Sequence, residues 1–241
     1  MRTLVIPDIH LKPWIVDGAE EIYQNEKPDV TVFLGDIADD WNQQYNIPLY
    51  ERTFERVIEY CSEHTANTWF CYGNHDISYV WKVMQSGFSG YAIETVRNML
   101  EELKKALPDE HIGFMHAIDG CLFSHAGLTR EFALANLDKN EDPEAIAKAV
   151  NSLNGGILWE GDSPIWARPQ GKQTEYSSEK MWPAGILQVV GHTPTAEILV
   201  QGDMISVDVF STYRDSSPIG TQELAIVDTT TRNIEKFKIR G

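Results

Sequence analysis

The chain has 241 residues, 42% hydrophobic and 23% charged. These proportions fit a globular protein and exclude a disordered, collagen-like or coiled-coil chain; a chain of this length can build a core without disulfide or metal staples. Asp and Glu number 36 against 20 Lys and Arg, a formal net charge of −16, which excludes a general attraction to nucleic acid or to an anionic membrane surface.

Strands and helices alternate from the start. Residues 4–6 form a short β-type run that ends in Asp8-Ile9-His10. A helix-compatible stretch follows over residues 16–24, then a second apolar run over residues 30–34 that ends in Gly35-Asp36. Phe54, Val57, Ile58 and Cys61 recur at helical spacing and predict a helix over residues 49–62. Residues 68–72 read as a third strand, ending in Gly73-Asn74-His75-Asp76, and residues 91–107 as a helix closed by Pro108.

The second half has a different pattern. Residues 111–115 and 121–124 flank Asp119-Gly120, a hairpin turn signal. Helices are expected over residues 131–137 and 143–153. Residues 155–183, rich in Gly, Pro, Ser and Trp, predict a long ordered loop of functional interest. A strand over residues 186–190 ends in Gly191-His192; residues 198–200 and 204–208 form a hairpin, and residues 224–227 and 234–239 a last pair. The βαβαβ start predicts a parallel sheet and the later hairpins antiparallel additions, an α/β fold read as one domain over residues 1–241. Cys61, Cys71 and Cys121 show no C-x-x-C spacing, as expected of reduced thiols. The first apolar run is broken by Pro7, which does not read as a signal peptide, and no stretch has the length of a membrane span. A cytoplasmic protein with no membrane partner is the expectation.

Five strand ends share one property: each stops at a small residue or turn bearing Asp, Asn or His. They are Asp8 with His10, Asp36, Asn74 with His75 and Asp76, His125, and His192. Taken singly, each has a plain structural explanation as a turn, a loop residue or a core histidine. Taken together they are coherent, because ligand sites of open α/β sheets gather beyond the carboxyl ends of the strands. Carboxylate, amide and imidazole donors suit Mn²⁺, Fe²⁺ or Zn²⁺. One Asp can bridge two cations, and two cations roughly 3.5–4 Å apart can orient a phosphoryl group for in-line attack.

The set Asp8-x-His10, Gly35-Asp36, Gly73-Asn74-His75-Asp76, Ser124-His125-Ala126-Gly127 and Gly191-His192-Thr193-Pro194 resembles the calcineurin-like metallophosphoesterases, and within them the phosphoprotein-phosphatase-type branch of bacteria and bacteriophages. The resemblance implies a sandwich of two mixed β-sheets flanked by helices and a phosphoric-ester hydrolase with two divalent cations, Mn²⁺ first, with Fe, Zn or Ni as alternatives. It implies that Asp8 and His10 hold one cation, that Asp36 bridges, and that Asn74, His125 and His192 hold the other. The attacking group would be a hydroxide between the cations, with His75 as general acid and Asp76 orienting its imidazole. Asn74 would also touch the substrate.

Two departures stand out. In the phosphatase branch the second motif ends Asp-Arg-Gly and its Arg touches phosphate, whereas here the segment reads Asp36-Ile37-Ala38-Asp39-Asp40-Trp41. Relatives often carry Asp-Thr-Gly after the next hairpin, whereas here Asp208-Val209-Phe210 stands, with Asp208 expected in a supporting role. Arg168, in Trp166-Ala167-Arg168-Pro169, resembles the other phosphate-contacting arginine. Arg130 and Arg214 are weaker candidates, expected to be structural. Trp159, Trp166 and Trp182 are expected to pack the long loop onto the core or to stack on an aromatic group of the substrate.

The expected partner is a phosphorylated substrate: a phosphoprotein, a nucleotide or a small phosphoester. A phosphomonoesterase, in the form of a Ser/Thr protein phosphatase, leads. A dinucleoside-polyphosphate or nucleotide hydrolase, or a phosphodiesterase, is the alternative, and a non-catalytic scaffold is the distant one.

Overall fold

The strands of the first sheet are short and apolar, and most of their residues are buried. β1 (Arg2–Ile6), β2 (Val30–Phe33), β3 (Thr68–Cys71) and β4 (Ile112–Gly113) pair in parallel. The structure, a computed structural model, describes residues 1–138, 140–170 and 180–239. Between these strands run α1 (Trp14–Glu26), α2 (Ile47–Glu63), α3 (Asn74–Trp81) and α4 (Ile93–Ala106). In α2 the buried residues Tyr50, Phe54, Val57 and Cys61 recur three and four apart, so one stripe faces the protein interior. α1 packs on β1, and α2 on α1 and α4.

The second sheet is built from β5 (Met115–Ile118), β6 (Cys121–Ser124), β7 (Gln188–Val190), β8 (Leu199–Gln201) and β9 (Met204–Ser206), in the order β5-β6-β7-β9-β8. β6, β7 and β9 run parallel, with antiparallel strands at both edges. Between β6 and β7 lie α5 (Arg130–Asn136), α6 (Pro143–Asn151) and α7 (Gly155–Leu158), and α6 covers β5 and β6. The chain then returns to the first sheet as β10 (Glu223–Asp228) and β11 (Ile234–Lys238), antiparallel, giving the order β11-β10-β1-β2-β3-β4. Val5, Val32 and Phe70 from one sheet share a single buried cluster with Phe123, Val189 and Ile205 from the other. The fold is therefore the expected sandwich of two mixed sheets flanked by helices. Among the described residues, no helix is long and apolar enough to cross a membrane.

Three details differ from the sequence reading. Residues 111–115 do not form one hairpin strand: residues 112–113 join the first sheet, and the chain crosses to the second before Met115. Asn151 holds this crossing, accepting from the amides of Phe114 and Met115 and donating to the carbonyl of Met115. The turn at Gly73-Asn74-His75-Asp76 opens directly into the short helix α3. The loop expected over residues 155–183 begins with α7, and residues 171–179 lie outside the described residues.

The topology gathers the candidate donors. β1, β2 and β3 run the same way, so Asp8, Asp36 and Asn74 leave the same edge of the first sheet. β6 and β7 also run the same way, and His125 and His192 follow their carboxyl ends.

Candidate metal centre

The loops at these strand ends are strained. His10, Asp36, Asp39 and His192 have φ of 44°, 52°, 65° and 63°. Non-glycine residues adopt this left-handed region rarely, and strain of this kind clusters at functional sites. The loops also approach closely: a Cβ on Gly73 would overlap Asp36 Oδ1, and one on Gly191 would overlap Asp8 Oδ2. Glycine is required at both positions because carboxylates occupy the space of a side chain.

Asp36, buried, stands at the centre. Its Oδ2 lies 3.9 Å from His10 Nε2 and 3.3 Å from His125 Nε2, between the two rings. Its Oδ1 accepts the His75 amide at the start of α3, 2.8 Å away. Burial opposes the charge on Asp36, but His125, His75 and His10 hold its carboxyl well below the usual range.

The histidine tautomers follow from their neighbours. His125 Nδ1 lies 2.7 Å from the Leu34 carbonyl, and His10 Nδ1 lies 2.9 Å from the Asp39 carbonyl. A carbonyl only accepts, so each Nδ1 donates and Nε2 is the atom left for a cation. Burial opposes a charge on His125, but Asp36 and Asp8 raise its imidazole to about 9, so a cation there would displace a proton from Nε2. His125 Nε2 then meets Asn74 Oδ1 at 3.0 Å, His192 Nδ1 at 3.0 Å and Asp36 Oδ2 at 3.3 Å. Burial, His125 and Arg168 keep His192 neutral, pushed down to about 2. Oxygen and nitrogen ligand atoms thus converge on one place inside the protein, an arrangement that a divalent cation satisfies by displacing the proton they share. Asp36, His125 and His192 each offer a ligand atom within 4.8 Å of the others, as do His10, Asp36 and His75. The donors present fit a metal centre.

Asp8 is buried beside this cluster, with both carboxylate oxygens 3.0 Å from the His192 amide. Burial and Asp208 push its carboxyl well above the ordinary value, a cost that a neighbouring cation would remove. Asp208 is buried and accepts from the Ser211 amide and hydroxyl, in the supporting role expected of it.

The orientation of His75 corrects the sequence reading. Its Nδ1 bonds Asp39 Oδ2 at 2.9 Å and makes no bond to Asp76. Burial opposes its charge, but Asp36 and Asp39 raise the imidazole to about 9, the protonated state a general acid needs. Asp76 turns inward, because adjacent residues of a helix point in different directions. Its carboxylate accepts the amides of Asp36 at 2.7 Å, Ile37 at 2.8 Å and Gly73 at 3.1 Å. It clamps the loop after β2 to the start of α3. Asp39 orients two rings at once, His10 through its carbonyl and His75 through its carboxylate. The phenols of Tyr50 and Tyr79 donate to that carboxylate and fix it in turn. The available signal for Asp39 was its place three residues after Asp36 in the same loop.

Gln85 had no signal in the sequence. Its Oε1 accepts from Asn74 Nδ2 at 2.6 Å, which turns Asn74 Oδ1 toward His125. Its Nε2 is buried without a partner.

A cavity of about 420 Å³ opens over the cluster, lined among others by Asp36, Asn74, His75, Gln85, His192 and Arg168. Arg168 Nη1 lies 3.4 Å from both the His192 carbonyl and Thr193 Oγ1. Trp159 and Trp166 form an edge-to-face chain from Trp81 to the His192 ring, so they pack behind a donor as the packing expectation had it.

Buried carboxylate, amide and imidazole donors at the carboxyl edge of two mixed sheets define a metal-dependent hydrolase site. The calcineurin-like phosphoesterase family model matches residues 1–211, and the chain belongs to that family. It is a metal-dependent phosphoester hydrolase. No curated protein matches the chain. Among solved structures it is similar to a cold-active protein-tyrosine phosphatase of a psychrophilic Shewanella species, with 16% identity over 98% of this chain and 80% of that one and a TM-score of 0.62. A protein serine/threonine phosphatase from Saccharomyces cerevisiae matches with 14% identity over 100% and 81% of the two chains and a TM-score of 0.55. A metallophosphoesterase from Sphaerobacter thermophilus matches with 16% identity over 100% and 88% and a TM-score of 0.51. At these identities the likeness is one of fold.

Proposed function

We propose that the protein hydrolyses phosphomonoesters, with a phosphoprotein as the leading substrate class. The observation that carries this reading is His75, which lines the cavity beside Asp36 with its Nδ1 held 2.9 Å from the Asp39 carboxylate, leaving Nε2 as the ring nitrogen available to a ligand. An imidazole oriented this way, protonated through its pairing with Asp39, donates to the departing oxygen of a serine, threonine or tyrosine ester, which leaves poorly without a proton.

Asp8, His10, Asp36, Asn74, His125 and His192 would hold two divalent cations, and Mn²⁺ suits their oxygen and nitrogen set. Bound cations would supply an activated water and neutralise the phosphoryl oxygens. Arg168 reaches from the cavity edge and takes the remaining oxygens of the phosphoryl group in a bidentate pair. Asn74 Nδ2, held by Gln85, keeps the amide turned for its donor role. The phosphatases among the fold neighbours support a phosphoprotein substrate.

The test is hydrolysis of 4-nitrophenyl phosphate by chelated protein before and after Mn²⁺, with bis(4-nitrophenyl) phosphate in parallel. Mn²⁺-restored turnover of the monoester is expected. Turnover of the diester alone would replace this reading with a phosphodiesterase.

A further inference from the structure

The place where the second motif ends in Asp40 and Trp41 is bonded to a loop about 171 residues further along the chain. Trp41 Nε1 donates to the Thr212 carbonyl at 2.9 Å, Thr212 Oγ1 donates to Asp40 Oδ1 at 3.0 Å, and Asn42 Nδ2 donates to the Arg214 carbonyl at 3.1 Å. Asp40 is already neutralised by Lys12, 2.9 Å away. On this fastened wall the Arg214 guanidinium lies over the Trp41 ring, 5.1 Å from its centroid. Arg214 and Arg168 line the same cavity as the metal donors.

Among the described residues, Arg52, Arg97, Arg130, Arg168 and Arg214 have no carboxylate within ion-pair distance, and of these five Arg168 and Arg214 line the cavity over the metal donors. Arg2, Arg56 and Arg232 do pair with carboxylates, each on the surface away from that cavity's lining. An exposed stacking contact alone contributes about 0.5–1 kcal/mol, and among the described residues the Arg214 guanidinium donates no hydrogen bond, leaving its N–H donors for a ligand. Two such groups in one cavity give it two separate places for negative charge.

We propose that Arg214, shelved on Trp41, is a second anion subsite, and that the preferred substrate carries another negative group beside the phosphoryl group that is cleaved. This rests on the phosphomonoesterase reading above. The second group is a carboxylate or a phosphate, and it comes from an acidic residue flanking a phosphorylated one or from a small bisphosphate. Arg168 serves the cleaved group and Arg214 the second one.

The test compares two substrate pairs with Mn²⁺-loaded protein: a phosphoserine peptide with or without adjacent Asp residues, and a sugar bisphosphate with its monophosphate. Wild-type protein should prefer the more anionic member of at least one pair, and the pair that responds names the source. In Arg214→Gln the ratio of kcat/KM values should fall about tenfold, the loss of one charge-assisted contact. Arg214→Lys should recover part of the ratio, and Trp41→Leu, which removes the shelf, should lower it. Phosphonate analogues of the two peptides, bound but not cleaved, give the same preference by calorimetry. That readout separates the two claims: absent turnover would remove the phosphomonoesterase reading, while the calorimetric preference still decides the subsite. Equal preference in wild type and Arg214→Gln, by kinetics or by calorimetry, would overturn it.

Discussion

At the metal centre several side chains are each held by a second group. Carbonyls fix the rings of His10 and His125, Gln85 fixes the Asn74 amide, and Asp39 fixes His75. Along the cavity wall that carries Arg168 and Arg214 the contacts are looser. Arg168 makes two contacts of 3.4 Å, and the Arg214 side chain rests on a ring face. The difference separates two tasks. Metal binding and proton donation need fixed lone pairs and tautomers, so a small displacement is costly. Selecting a substrate needs charge at the right distance, which flexible arginines provide.

The comparison breaks most directly at Asp36. Asp36→Asn removes the oxygen placed between His10 and His125, and Mn²⁺-dependent monoester turnover should fall about 10³-fold or more. Next comes Asp39→Asn, which should lower turnover of an alkyl phosphate about 10²-fold and of 4-nitrophenyl phosphate less, because a good leaving group needs little proton donation. Asp76→Ala should do the reverse. It orphans the backbone amides of Asp36, Ile37, Ala38 and Gly73 and should lower unfolding stability by about 3 kcal/mol in urea melts, with no such leaving-group bias. A leaving-group bias in Asp76→Ala and none in Asp39→Asn would restore the sequence-based pairing.

A finer test is Gln85. Gln85→Leu removes the acceptor that orients Asn74, and Mn²⁺ affinity should fall at least about tenfold by competition titration. Gln85→Glu keeps an acceptor and should retain affinity. The smallest effect on turnover should come from His116 on β5, buried with Nε2 2.9 Å from the Phe70 carbonyl and pushed down to about 4 by burial. Its folded value lies below its unfolded value, so the unfolded chain binds the extra proton first. Stability should therefore be lost as pH falls from about 6.5 to 4, by on the order of 3 kcal/mol at full protonation. His116→Gln should flatten that slope in urea melts at stepped pH.

The strands that deliver the donors were readable from apolar runs ending in Asp, Asn or His, and their parallel order brought the ends together as expected. Asp8, His10, Asp36, Asn74, His75, His125 and His192 all lie at one place. Asp76 was misread because it follows His75 in the chain, and chain adjacency at a helix start does not mean side-chain contact. α3 was missed because eight residues starting at a Gly-Asn turn carry little periodicity. Arg214 reaches the cavity through a contact with a segment 172 residues away, and Gln85 meets Asn74 from an irregular turn 11 residues on; neither leaves a periodic pattern.

Mn²⁺ binding to chelated protein, counted by equilibrium dialysis, is the most direct test of the convergent donors. Two ions per chain in the wild type, and both weakened together in Asp36→Asn, are expected. Unchanged stoichiometry and affinity in Asp36→Asn would contradict a centre built around that carboxylate.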